Sequence, residues 1–263
     1  MRDRDVIPFF LMTFVIAWGI LGLYILAPAA MGDAFGHLTG SHPLFYLAVY
    51  APAISAVIMI VYRRGLADLG GFFSRLLLWR TTYPWYLLLL VGMPLVFYLA
   101  ALLKEDAYND GLFPFASVQA YGLALLLMAI KGPVEEFGWR GVALPLLQRR
   151  MAPIYAALLL GVIWAFWHLP AFLLSGTPQS TWSIMPFFLG TIALSVIVTP
   201  LFNRSGGSIL LAGIFHLQAI NPLWPDAQPY DSGFFVALAV VIVWLNRHAM
   251  LSREGAVTEV VRR

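Results

Sequence analysis

Three groups of chemically capable side chains interrupt stretches that are otherwise apolar. The first is Lys131 with Val134-Glu135-Glu136-Phe-Gly-Trp-Arg140-Gly141. The second is Trp164-Ala-Phe-Trp-His168-Leu-Pro170, and the third is His216 followed by Asn221-Pro222. An ionisable residue held in the middle of a bilayer costs at least about 2.5–3.5 kcal/mol, so each of these asks for a function or a partner. Carboxylates and imidazoles are the side chains that move protons, activate water or ligate a metal near neutral pH.

Helical geometry divides the first group. Glu136 and Arg140 are i, i+4 neighbours and stack into an ion pair. Glu135 projects about 100° from Glu136 and about 140° from Arg140, which leaves it free for proton transfer while Glu136 is neutralised. The same residues also read as a purely structural charge cluster. Trp164 and His168 share a helix face, and Pro170 weakens the helix two residues on. A single histidine among aromatics is more often a hydrogen-bonded packing residue than a catalyst or ligand. His216 stands in an apolar helix after a Ser205-Gly-Gly-Ser208 turn, and Asn221 before Pro222 also serves simply to end that helix.

The elements that hold these residues must be membrane spans. The chain is 263 residues long, 61% hydrophobic and only 11% charged, with a mean hydropathy of +0.82. Roughly 25% charge is usual in a soluble domain, and so little polar surface cannot coat a water-soluble globule. Apolar stretches of about 20 residues, enough to cross about 30 Å of hydrocarbon, lie near 7–27, 43–62, 83–103, 116–147, 152–174, 182–202, 206–222 and 232–248. The fourth is long and is broken at Gly132-Pro133. The expected fold is therefore an all-α bundle of about eight transmembrane helices. The first apolar run exceeds the usual signal-peptide core of about 7–15 residues and follows a mixed-charge start, so it reads as a retained helix. The polar tail from Leu251 to Arg263 reads as a loosely ordered end.

Charge orients the bundle. Of 16 basic residues, Arg2, Arg4, Arg63, Arg64, Arg75, Arg80, Arg149, Arg150, Arg204, Arg247, Arg253, Arg262 and Arg263 fall on one side of an eight-helix arrangement. The other side carries Lys104 with Asp33, Glu105, Asp106, Asp110, Asp226 and Asp231. The positive-inside rule then puts both termini in the cytoplasm. A pI near 9.3 is thus a topology signal and not a nucleic-acid face. There are no cysteines, which excludes disulfides, thiolate metal sites and cysteine nucleophiles.

Depth brings the three groups together. At about 1.5 Å per residue, Glu135 and His168 lie roughly 22 and 27 Å from Arg150, and His216 lies roughly 18 Å from Arg204. A carboxylate and two imidazoles meeting from separate helices is the arrangement of a polar active site sealed in a bundle.

Residues 116–225 resemble the CAAX-protease and bacteriocin-processing (CPBP, or Abi) family of intramembrane proteases, type II CAAX prenyl endopeptidases among them. Glu135, Glu136 and Arg140, followed by Gly141, match its E-E-x-x-x-R motif. Trp164 to His168 resembles F-x-x-x-H with Trp in place of Phe, and His-Leu-Pro follows as in many members. The third motif pairs a histidine with Asn four residues on; here His216 matches, position 220 is Ile, and the Asn is at 221. In a regular helix Asn221 is rotated about 140° from His216, so a π-type bulge or distorted last turn is needed to bring it in.

The resemblance implies peptide hydrolysis within the membrane. Glu135 would act as general base on water, with His168 assisting or holding a metal. His216, with Asn221, would stabilise the oxyanion, and Glu136, Arg140 and Trp164 would support the site. The family is described as one of metalloproteases, and Glu135, His168 and His216 could hold Zn²⁺ with an open position for water; the same groups could act without metal. Partners would be membrane lipids and a peptide or membrane-protein substrate, a prenylated one among the options. Residues 1–115 would form a frame or gate, 116–225 the catalytic core, and 226–263 the last helix and tail. An arginine-rich, lysine-poor composition suits a high-GC bacterium and its plasma membrane. The rival readings are a proton-coupled transporter, which uses buried Glu, Arg and His as relays, and a non-catalytic scaffold or immunity protein that keeps the motifs for structure.

Overall fold

The computed structural model describes residues 1–104, 113 and 115–262, and no strand occurs among them. Glu105, Asp106, Asp110 and Arg263, used above to orient the chain, lie outside the described residues. The helices are α1 (Val6–Leu26), α2 (Pro28–Phe35), α3 (Pro43–Val49), α4 (Ala51–Arg64), α5 (Asp68–Phe73), α6 (Tyr83–Ala101) and α7 (Val118–Lys131). A broken helix α8 covers residues 136–148. There follow α9 (Pro153–Trp167), α10 (Leu169–Phe172), α11 (Ile184–Arg204), α12 (Ile209–Ala219), α13 (Asp231–Leu245) and α14 (Arg247–Leu251).

Each apolar stretch read from the sequence forms helix close to its expected bounds. Among the described residues, four helices are long and apolar enough to cross a membrane: α1 with the turn before it, α6, the run α9–α10, and α11. The pair α3–α4, bent by 55°, makes a fifth if counted as one span. The helices α12 and α13 are apolar but shorter, at 11 and 15 residues. Many large apolar side chains face outward, Ile7, Leu11, Val15 and Leu26 on α1 among them, as they do where lipid is the solvent. The protein is an integral membrane protein.

In lipid, association of helices rests on close packing and not on escape from water. The contact between α9 and α11 shows how. A methyl placed on Gly161 would lie 2.8 Å from the Ile192 Cα, so only glycine lets the two backbones meet there. Beside it, the Ser195 hydroxyl donates to the Ala157 carbonyl at 2.9 Å. This tight pair forms one wall behind His168.

The fourth apolar segment is broken where the sequence placed the break. After α7, Pro133–Glu135 make a single 3-10 turn, Glu136–Gly138 a turn of α-helix, and Trp139–Ala143 a π turn before the helix resumes at Leu144. Proline removes a backbone donor at 133 and again at 145, and π turns concentrate where a helix must re-aim functional side chains.

The tail departs from its expected looseness. The Val260 and Val261 side chains are buried. Backbone N–H groups of Arg262 and Val257 donate to Gly71 O and Asn203 Oδ1, and Thr258 O accepts from Arg149 Nε at 2.8 Å. The organising residue is Arg75, outside the spans and 2% exposed. Its Nε donates to Gly207 O at 2.8 Å and its Nη1 to Gly141 O at 2.9 Å and Val260 O at 3.0 Å. Burial lowers its pKa to about 10, so it stays charged at neutral pH. A polar tail can be ordered through main-chain carbonyls, which leave no mark in side-chain patterning. Arg75→Ala removes charge-assisted bonds to three segments at once, and a loss of about 3 kcal/mol is expected. The checks are a melting temperature below that of wild type and protease release of residues 252–262 under conditions in which the wild-type tail is expected to stay attached.

Candidate active site

Glu135 closes the 3-10 turn after α7 and is 5% exposed. Its Oε2 accepts two indole N–H groups, from Trp164 at 2.9 Å and from Trp139 at 3.2 Å. These bonds fix the carboxylate without neutralising it. Glu136, the next residue, points to the other side of the turn. Its Oε1 accepts from Arg140 Nη1 at 3.0 Å and lies 2.8 Å from His216 Nδ1. Arg140 is fully buried, and its guanidinium lies over the Trp164 ring at 4.6 Å, a cation–π contact that further offsets its desolvation. The i, i+4 ion pair expected from spacing is therefore present. Glu136 does more than neutralise Arg140, because it also orients His216 from 80 residues away.

His168 caps the C-terminal end of α9. Its Nδ1 lies 2.8 Å from the Trp164 carbonyl. A carbonyl only accepts, so Nδ1 carries the proton in this bond and Nε2 is left as the free nitrogen. The Trp167 and Phe187 rings flank it at 4.8 and 5.1 Å. His216 is fixed by the same logic through Nδ1 to Glu136, and its ring centroid is 5.5 Å from that of Trp164. Trp164 thus touches Glu135, Arg140, His168 and His216 together.

Asn221 lies beyond the end of α12, which closes at Ala219 without a π turn. Its Nδ2 donates to Gln218 Oε1 at 3.2 Å and its Oδ1 accepts the Leu223 N–H at 3.0 Å. It lines the same cavity as Glu135 and the two histidines, but its amide is committed to the turn it sits in.

That cavity measures about 420 Å³, within the range that takes up small ligands or a few residues of peptide. Glu135, His168 and His216 lie on its wall with Lys131, and Phe97, Trp167, Phe187 and Phe235 supply much of its apolar lining. Lys131 donates to Gly40 O at 2.8 Å and sits over the Phe45 ring at 4.8 Å.

Ionisable side chains inside otherwise apolar spans singled out the two glutamates, the arginine and both histidines. That criterion did not single out Trp139, although the i, i+4 relation to Glu135 was available as a signal, nor Gly132. A methyl on Gly132 would overlap Ile220 Cδ1 and lie 3.0 Å from the His216 ring. Gly132→Ala is expected to push the ring off its Glu136 bond and to lower kcat/KM by about 10²-fold, with a melting temperature close to wild type. Peptidase kinetics beside a thermal melt check this.

Among the described residues no three His, Asp or Glu side chains come together as metal ligands. Glu135, His168 and His216 are thus not gathered around one point as a ligand set in this arrangement.

Glu135 and the two oriented imidazoles line one cavity in a helix bundle, with Glu136 and Arg140 buried beside them. Residues 117–219 match the family model described as type II CAAX prenyl endopeptidase, Rce1-like. The chain is also 29% identical to CAAX prenyl protease 2 of Methanococcus maripaludis, over 94% of its own length and 96% of that protein. The likeness supports a protease acting on a peptide or protein in a membrane.

Proposed function

We propose that the protein is an intramembrane endopeptidase in which Glu135 activates a water molecule against a peptide bond. The observation that carries this reading is the Glu135 carboxylate, held by two indole N–H groups at the wall of a cavity that also presents both histidines. A carboxylate so placed takes a proton from water as the oxygen attacks the carbonyl carbon. His168, its Nδ1 spent on the Trp164 carbonyl, accepts through Nε2 and orients that water. His216, bound through Nδ1 to Glu136, presents Nε2 to the cavity and, as the imidazolium paired with Glu136, donates to the oxyanion. Collapse of the tetrahedral intermediate breaks the C–N bond, and the proton held by Glu135 passes to the leaving amine. Arg140 pairs with Glu136 and offsets its charge inside the bundle.

The relative's name points to a prenylated CAAX peptide as the first substrate to offer. Purified protein in detergent is expected to cleave a fluorogenic peptide of that kind, with activity unchanged by a chelator. Loss of activity on chelation, restored by Zn²⁺, would instead assign Glu135, His168 and His216 to a metal. Proton-coupled uptake into vesicles in place of cleavage would favour the transporter reading.

A further inference from the structure

The cavity reaches only one of the two faces of the bundle, and that face is the one opposite the termini. Inter-helix bonds define the two faces. On one, Arg149 donates to Met1 O and Thr258 O, Arg150 pairs with Asp3, Arg63 pairs with Asp5, and Arg253 donates to Arg149 O. The N-terminus, the ends of α4 and α8, and the tail therefore share this face, and Arg75 ties the turn before α12 to it. On the other, Lys104 pairs with Asp226, Gly40 N–H donates to Gly176 O, and Tyr24 donates to Gly36 O. The connections 36–42, 173–183 and 220–230 therefore share the second face.

Every residue of the cavity wall belongs to the inner part of a helix or to that second face. Pro178, Gln179 and Trp182 come from one connection, and Pro225, Asp226 and Gln228 from another. Pro178 and Asp226 are solvent-exposed and mark the mouth. None of the arginines that hold the first face together lines the cavity. The first face carries the arginines, and a surplus of Lys and Arg marks the cytoplasmic side of a membrane protein.

We infer that the site is loaded from the non-cytoplasmic side, between the 173–183 and 220–230 connections. Its substrate is then an apolar peptide segment presented at the outer surface of the membrane, which the aromatic walls accept behind a rim bearing the Asp226 carboxylate. The nature of the substrate rests on the hydrolase reading above; the side of entry does not.

The chain has no cysteine, so single cysteines report position without further changes. Gln179→Cys is placed at the mouth and Glu254→Cys on the exposed arginine-rich face, each in the full chain in intact cells. A membrane-impermeant maleimide is expected to label Gln179→Cys before lysis and Glu254→Cys only afterwards. The reverse order, or labelling of Glu254→Cys alone, overturns the inference. The bulky adduct at position 179 is further expected to abolish cleavage of peptide supplied outside right-side-out vesicles, while the same adduct on Glu254→Cys, introduced after lysis, leaves cleavage unchanged. Cleavage undiminished by the adduct would also overturn the inference, because the mouth would then lie elsewhere. If labelling follows the expected order and wild type cleaves no peptide from either side, the entry side stands and the hydrolase reading fails.

Discussion

Glu136→Ala is expected to unfold the polar centre of the protein as well as silence it. Glu136 is the shared partner of Arg140 and His216, through one oxygen at 3.0 and 2.8 Å, and Arg140 is fully buried. Removing one member of a buried ion pair leaves the other desolvated and uncompensated, which costs about 3–5 kcal/mol. For a chain of this size that is a fall in melting temperature of about 10 °C. The Trp164 ring under Arg140 recovers only part of the loss, since such contacts are worth about 2 kcal/mol when desolvated. Glu136→Gln keeps an acceptor for both neighbours but not the charge, and should lie between alanine and wild type. Differential scanning of the three proteins in one detergent makes the comparison. A melting temperature unchanged in Glu136→Ala would show that the pair is not holding the helices together.

Glu135→Gln is expected to behave in the opposite way. The amide oxygen can still accept the Trp164 and Trp139 indoles, so the fold and the cavity should survive with little change in melting temperature. What disappears is the proton acceptor. A positioned general base contributes about 10²–10⁴ in rate, and hydrolysis should fall by that factor with KM little altered, because the loss is confined to the transition state. The contrast between neighbours is the informative part: one glutamate is expected to govern stability and the other turnover. Full activity in Glu135→Gln would remove Glu135 from the mechanism.

The geometry behind these two expectations was legible in the sequence because helical rotation separates adjacent residues and pairs those four apart. The Glu136–Arg140 pair followed from that rule, and so did the shared position of Trp164 and His168 on one face. The break at Gly132-Pro133 was legible from residue type. The reach of Glu136 to His216 was not, because the two are 80 residues apart and nothing in local spacing encodes which carboxylate a distant imidazole will find. The packed tail was missed for a different reason. Its order comes from Arg75, Gln148 and Arg149 donating to Val260, Val257 and Thr258 carbonyls, and every residue offers the same carbonyl. Asn221 shows the limit of a motif read by spacing, since an amide one residue late is taken up by the turn that follows the helix.

Glu135 can act on the peptide in two ways, by taking a proton from water or by forming a bond itself. Wild-type protein turning over a prenylated CAAX peptide in heavy-oxygen water, followed by mass spectrometry of both the product and the protein segment containing Glu135, separates the two. If water activated by Glu135 attacks the peptide directly, one heavy oxygen enters the new carboxylate of the product and none enters Glu135. Heavy oxygen accumulating in the Glu135 carboxylate would mean a covalent acyl intermediate, and would contradict its role as a base.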